Sequence, residues 1–317
     1  MNKHIVITAL AATVAGSAIA EPNIIATVGM VGQPTDRIAS GCANVSTMMA
    51  AGIDPHLYKP SSGDVKQLFE SDAIIYVGNH LEGQMGSVLG DLNAKKPVLA
   101  AAEKGVSQDV MIVEEGAEYP DPHIWMDVEL WSGIATPIAA LLEDLDPGCE
   151  GAQERAGAYQ AELIALDKWI SEAIATIPQD QRSIVTAHDA FAYYGRAYGI
   201  DVVAIQGVST ESEAGIADIR EVVDTVIEQN VPAIFVESTI NPRTVEAVVE
   251  AAAARGHTVR VGGELYSDAM GETGTAEGTY IGMLASNTKT IVEALGGTVP
   301  PLPAELSEWS QHWGEKT

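Results

Sequence analysis

Cysteine is close to absent from this chain: Cys42 and Cys149 are the two in 317 residues. So distant a pair lacks the clustered spacing of a zinc–thiolate site, which argues against that class of metal centre. Positive charge is scarce too. Only 17 Lys and Arg stand against 44 Asp and Glu, a formal charge of −27, and such a surface excludes nucleic acid and anionic lipid as partners. Beyond the first twenty residues no apolar run approaches the length of a membrane span, so the mature protein is expected not to be membrane-inserted. Short-period repeats, low-complexity tracts and Gly/Ser-rich linkers are missing, as is the H-E-x-x-H pattern of a zinc hydrolase.

What is present begins with a leader. "MNKH" is a short basic start, "IVITALAATVAGSAIA" is apolar, and Ala18-Ile19-Ala20 is an A-x-A cleavage signal, so residues 1–20 read as a signal peptide. The cleavage region lacks a cysteine, so no lipid anchor is expected. An exported protein without an anchor is retained only inside an outer membrane, which favours a periplasm over free secretion. In that oxidising compartment an even pair of cysteines can form a disulfide.

With 46% hydrophobic residues, the chain can bury one large core or two ordinary ones. "NIIATVGM", "AIIYVG" and "PVLA" are short apolar runs separated by amphipathic stretches, as in parallel strands alternating with helices. The rhythm returns in "SIVTAH", "DVVAIQGV", "AIFVES" and "HTVRVGG". Between the two series, Tyr159, Leu163, Leu166, Ile170, Ile174 and Ile177 recur at steps of three and four and make one helical stripe, stopped by Pro178. The expected fold is therefore α/β: two lobes, each a parallel sheet flanked by helices, joined by one long rigid helix. The boundaries are an N-terminal lobe over 21–148, a linker helix over 149–179 and a C-terminal lobe over 180–317.

One short pattern occurs twice. Asp54-Pro55-His56 and Asp121-Pro122-His123 are each followed by an apolar residue and then an aromatic one. Proline fixes its own φ and keeps the preceding residue out of the helical region, so each histidine stands on a stiff loop. In open α/β sheets ligands bind beyond the carboxyl ends of strands. His56 follows the strand-like "NVSTMMAAGI", and His123 precedes the helix-like "DVELWSGIATPIAALLEDL". His188 ends "SIVTAH", and Asp268 follows "HTVRVGG". Two candidates fall in each lobe, and a cleft between lobes would gather them. Three imidazoles and one carboxylate suit a first-row divalent metal. His80 in "VGNHLEG" also ends a strand and is the main rival.

"GIDPHLYKPSSGDVKQL", "DPHIWMD", "TAHDAFAYYGRAYGI" and "LYSDAMG" resemble, in order, the ligand-bearing segments of the zinc/manganese solute-binding proteins of ABC importers. The resemblance runs over essentially the whole mature chain. It implies metal ligands at His56, His123, His188 and Asp268, the same four that the loops select. It also implies two four-stranded lobes, a rigid linker helix, and delivery of zinc or manganese from an interlobe cleft to a membrane permease. Many zinc-specific members carry a long His-rich loop before the second ligand; here "MIVEEGAEYPDPH" is short and acidic. Many manganese-specific members have glutamate where this chain has His188. The ligands are zinc-like and the missing loop is manganese-like, so the cargo stays open between the two metals.

The function expected is that of a monomeric periplasmic binding protein and not an enzyme. One rival is an exported zinc hydrolase, which Asp268 opposes by filling the position a catalytic water needs. Another is a surface adhesin of the same fold, for which the histidines would be dispensable. The helices before Cys42 and Cys149 both run away from the ligand-bearing strand ends. Both cysteines should thus meet on the far face of the first lobe, as a disulfide or as two buried thiols. Trp125 and Trp131 read as core or cleft wall, and "FAYYGRAYG" as packing beneath the metal. Asp127 and Asp189 are candidates for orienting histidines. Glu211 and Glu213 in "TESEAG" read as solvated charge.

Overall fold

The computed structural model describes residues 20–314; the expected signal peptide lies almost wholly outside them. Two parallel four-stranded sheets dominate. The first holds β1 (Asn23–Ala26), β2 (Asn44–Thr47), β3 (Ala73–Tyr76) and β4 (Val98–Ala100) in the order β2-β1-β3-β4. The second holds β5 (Ser183–His188), β6 (Asp201–Gln206), β7 (Ala233–Glu237) and β8 (Arg260–Leu265) in the equivalent order β6-β5-β7-β8. Each expected apolar run supplies a strand. The central ones, such as Ile24–Ala26 and Ala73–Ile75, are buried, as sheets covered on both faces require.

This strand order has a consequence for the site. It reverses between the first and third strand of each sheet, and parallel sheets open a crevice at their carboxyl ends where the order reverses. β5 and β7 are the neighbours at that point in the second sheet, and they end on His188 and Glu237.

The long helix spans Ala152–Ala175, between the two series. Tyr159, Leu163, Leu166, Ile170 and Ile174 form its buried stripe, joined by Trp169 and Ala173. Trp169 Nε1 donates to Pro300 O at 3.0 Å, and Thr176 Oγ1 donates to Thr298 O at 3.0 Å, so the C-terminal segment is strapped along it.

The stretch after His123 departs from a single helix. It forms Val128–Ser132 and Ala135–Leu145 with a turn at Gly133. A Cβ on Gly133 would sit 2.2 Å from the carbonyl oxygen of Gly105, so only glycine permits that close approach.

Cys42 and Cys149 form a disulfide, with a Cα–Cα distance of 5.2 Å across a sequence separation of 107. Cys42 lies just before β2 begins, at the end of the sheet opposite the ligand loops. Arg155 donates there to the carbonyls of Ile38 and Ala39, which closes the end of the preceding helix. Among the described residues no helix is long and apolar enough to cross a membrane.

Candidate metal centre

The repeated Asp-Pro-His has a physical reason. Asp54 Oδ1 accepts the backbone N–H of His56 at 2.8 Å, and Asp121 Oδ1 accepts that of His123 at 2.9 Å. Each aspartate closes a tight turn onto the residue two positions on, and the proline between them stiffens it. Both imidazoles are thereby aimed from rigid loops.

His56, His123, His188 and Asp268 come together. One ligand atom from each lies within 4.8 Å of all the others, and all four residues are buried. His123 Nε2 lies 3.2 Å from Asp268 Oδ1, and His188 Nε2 lies 3.2 Å from Asp268 Oδ2. His56 Nε2 is 3.4 Å from His123 Nε2 and 3.6 Å from Asp268 Oδ2. Zinc–nitrogen bonds of about 2.0–2.1 Å put tetrahedral ligand atoms about 3.3–3.4 Å apart, so the spacing fits a small bound cation.

Buried polar atoms are normally paired, and these break the rule. His188 Nε2 and both carboxylate oxygens of Asp268 are buried without a hydrogen-bond partner. A bare cation between them would satisfy all three. Because both oxygens of Asp268 face the imidazoles, five-fold coordination is open as well as four-fold.

Outer partners fix two of the rings. His123 Nδ1 meets Asp121 Oδ1 at 2.7 Å, and His188 Nδ1 meets Glu237 Oε2 at 2.5 Å. Each carboxylate holds a proton on Nδ1 and leaves the Nε2 lone pair for a metal. Asp127 and Asp189, the expected orienting residues, are not the ones used. Asp127 instead accepts from Leu130 N and caps the helix Val128–Ser132. Asp189 is half-buried beside Asp121, and burial followed by that neighbouring charge lifts its carboxyl to about 6. Asp121 was within reach of sequence reasoning, since it belongs to the same Asp-Pro-His triplet. Glu237 had a fainter signal, a charged residue closing the apolar run "AIFVES".

Charge follows the geometry. Burial would lower the pKa of His123, but Asp121 and Asp268 outweigh it and raise it to about 9. His188 is likewise raised, burial being overcome by Glu237 and Asp268. Burial would raise Asp268, yet the facing His188 and His123 hold it well below the usual carboxylate range. His56 has no carboxylate on Nδ1, and burial takes it down to about 4.

His80 stays outside this cluster. It is exposed in a left-handed conformation, φ 67°, and stacks on Tyr119 at 4.4 Å. Trp125 and Trp131 are fully buried, consistent with a wall rather than a ligand role. From "FAYYGRAYG", Tyr193 donates its hydroxyl to Asp121 O at 3.0 Å and supports the second ligand loop from below. Glu211 is exposed but not free, since Gln84 Nε2 donates to it at 2.6 Å.

The family described as zinc-uptake complex component A, periplasmic, matches residues 24–294. The chain is 44% identical over 277 residues to the zinc-binding protein TroA of Treponema pallidum, covering 87% of this chain and 89% of that protein. It is 42% identical over 280 residues to the manganese-binding lipoprotein MntA of Bacillus subtilis, covering 88% and 91%. The solved structure of the periplasmic zinc-binding protein TroA from Treponema pallidum matches with a TM-score of 0.84 at 43% identity, over 87% of this chain and 99% of that one.

Proposed function

This chain belongs to the periplasmic zinc-uptake complex component A family, and from that premise we propose that it captures zinc or manganese between its lobes for an ABC importer. His56, His123, His188 and Asp268 are the proposed ligands, and the membrane permease is the partner that receives the metal. The protein is a solute-binding component and not an enzyme. We take residues 21–148 and 180–317 as the two lobes and 149–179 as the linker. We place the mature protein in the periplasm, on the strength of the leader-like start.

One observation carries the reading. Four ligand atoms from two lobes converge within 4.8 Å, and three buried polar atoms among them face one another with no hydrogen-bond partner outside the cluster. Leaving such atoms unpaired costs roughly 1–3 kcal/mol each, more when charged, so the arrangement is accounted for by a cation it is built to hold. The donor set favours zinc, because affinity rises toward zinc along the divalent series and imidazole suits it. Both oxygens of Asp268 are free to bind, and the added coordination narrows manganese's disadvantage. The similar proteins include one named for each metal.

The test is a competition titration of metal-stripped protein. Zinc is expected to bind tightly, with manganese binding measurably but more weakly. Manganese displacing zinc at equal free concentrations would overturn the ranking.

A further inference from the structure

The two Asp-Pro-His turns are built alike and used differently. Asp121 adds an imidazole to the backbone amide it already holds, both on its own histidine. Asp54 turns its second oxygen away from His56 and across the seam between lobes. There Thr210 Oγ1 donates to Asp54 Oδ2 at 2.6 Å, in the short range of a charge-assisted O–H···O⁻ bond. Thr210 is buried and belongs to the loop that follows β6 in the second sheet.

The other proposed ligands are braced without this contact. Trp125 Nε1 donates to Ser267 O at 3.0 Å, which ties the His123 loop to the Asp268 loop. His188 ends a central strand and is held by Glu237. The His56 turn, stiff in itself, borders open space. Its residues Ala50, Ala51 and Ile53 line a cavity of about 360 Å³ that Asp268 and Met270 also line. Ile53 and Leu57, on either side of the turn, are exposed.

Resting on the metal-site reading above, we infer that Asp54 and Thr210 form a latch across the lobes, and that this latch sets how fast metal leaves. Release begins when the bond breaks and the loop lifts His56 off the metal toward the cavity side. His123, His188 and Asp268 stay together through that step. Thr210 touches no ligand atom, so it is a positioning residue. A second bridge from the same loop, Gln84 to Glu211, is exposed and contributes little because water competes for both groups.

The test is zinc release from the loaded full-length protein into excess chelator, followed by stopped flow. Thr210→Val keeps the shape and removes the hydroxyl, and release is expected to be about tenfold faster. Thr210→Ser and Gln84→Ala are expected to stay within about twofold of the parent. An unchanged release rate in Thr210→Val, with tight zinc binding in the parent, overturns the latch alone. Thr210→Ser releasing as fast as Thr210→Val overturns it too, because the hydroxyl would then be irrelevant. A parent that binds neither zinc nor manganese overturns the metal-site reading and the latch together.

Discussion

Trp125 Nε1 donates to the carbonyl oxygen of Ser267 at 3.0 Å, so the neighbours of His123 and Asp268 are joined across the lobes by a bond that needs no metal. The carbonyl of Trp125 in turn accepts the hydroxyl of Tyr280 at 2.8 Å, and its ring packs edge-on against His123 at 5.2 Å. Trp125→Phe keeps an aromatic ring and removes the donor. Leaving a buried carbonyl unpaired costs about 1–3 kcal/mol. The melting temperature is expected to fall by a few degrees, with zinc affinity falling about tenfold as Asp268 loses its brace. Thermal melts and a zinc competition assay check both.

Asp121 and Glu237 are expected to matter nearly as much as the ligands they touch. Asp121→Asn and Glu237→Gln preserve size but remove the charge that holds Nδ1–H and aims Nε2. Loss of such an outer partner lowers metal affinity about 10–100-fold. Unchanged zinc affinity in both variants would show that the rings are oriented by packing alone.

Binding is also expected to expel protons. His123 is raised to about 9, so its imidazole is protonated at neutral pH in the metal-free protein, and His188 is raised in the same direction by Glu237 and Asp268 against burial. Zinc must displace that proton, so binding should release protons at pH 7 and strengthen as pH rises toward about 9. In the metal-free fold His123 and His56 respond in opposite senses. His123 has a folded pKa above its ordinary 6.5, so its stabilisation is full below about 6.5 and is lost as pH rises through about 9. His56 is lowered to about 4, so its contribution is full above 6.5 and is lost as pH falls through about 4. Calorimetric zinc titrations in buffers of different ionisation enthalpy count the protons, and a count of zero at pH 7 contradicts the assignment.

Much of this was legible in the sequence, and the reasons differ by residue. The strands Asn23–Ala26 and Ala233–Glu237 are built on the apolar runs Ile24–Ala26 and Ala233–Val236, because a sheet covered on both faces needs them. The four proposed ligands could be picked out because His56 and Asp268 stand in loops beyond strands, His188 closes a strand, and His123 shares the Asp-Pro-His turn of His56. Asp121 was hidden in plain view beside His123, whereas Glu237 meets His188 only because β5 and β7 are neighbours. Loop-to-loop contacts were out of reach altogether. Asp54 and Thr210 are 156 residues apart, and no periodicity relates one loop's register to another's. The break at Gly133 was missed for a similar reason, since it depends on the backbone of Gly105.

The most direct test of the proposed site is equilibrium dialysis of metal-stripped parent, His123→Ala and His80→Ala against zinc, with bound metal counted per chain. His80 stacks on Tyr119 outside the cluster, whereas His123 lies fully buried within it. Parent and His80→Ala are expected to hold one zinc per chain, and His123→Ala to lose it at the same free concentration. Zinc retained by His123→Ala and lost by His80→Ala would contradict the site.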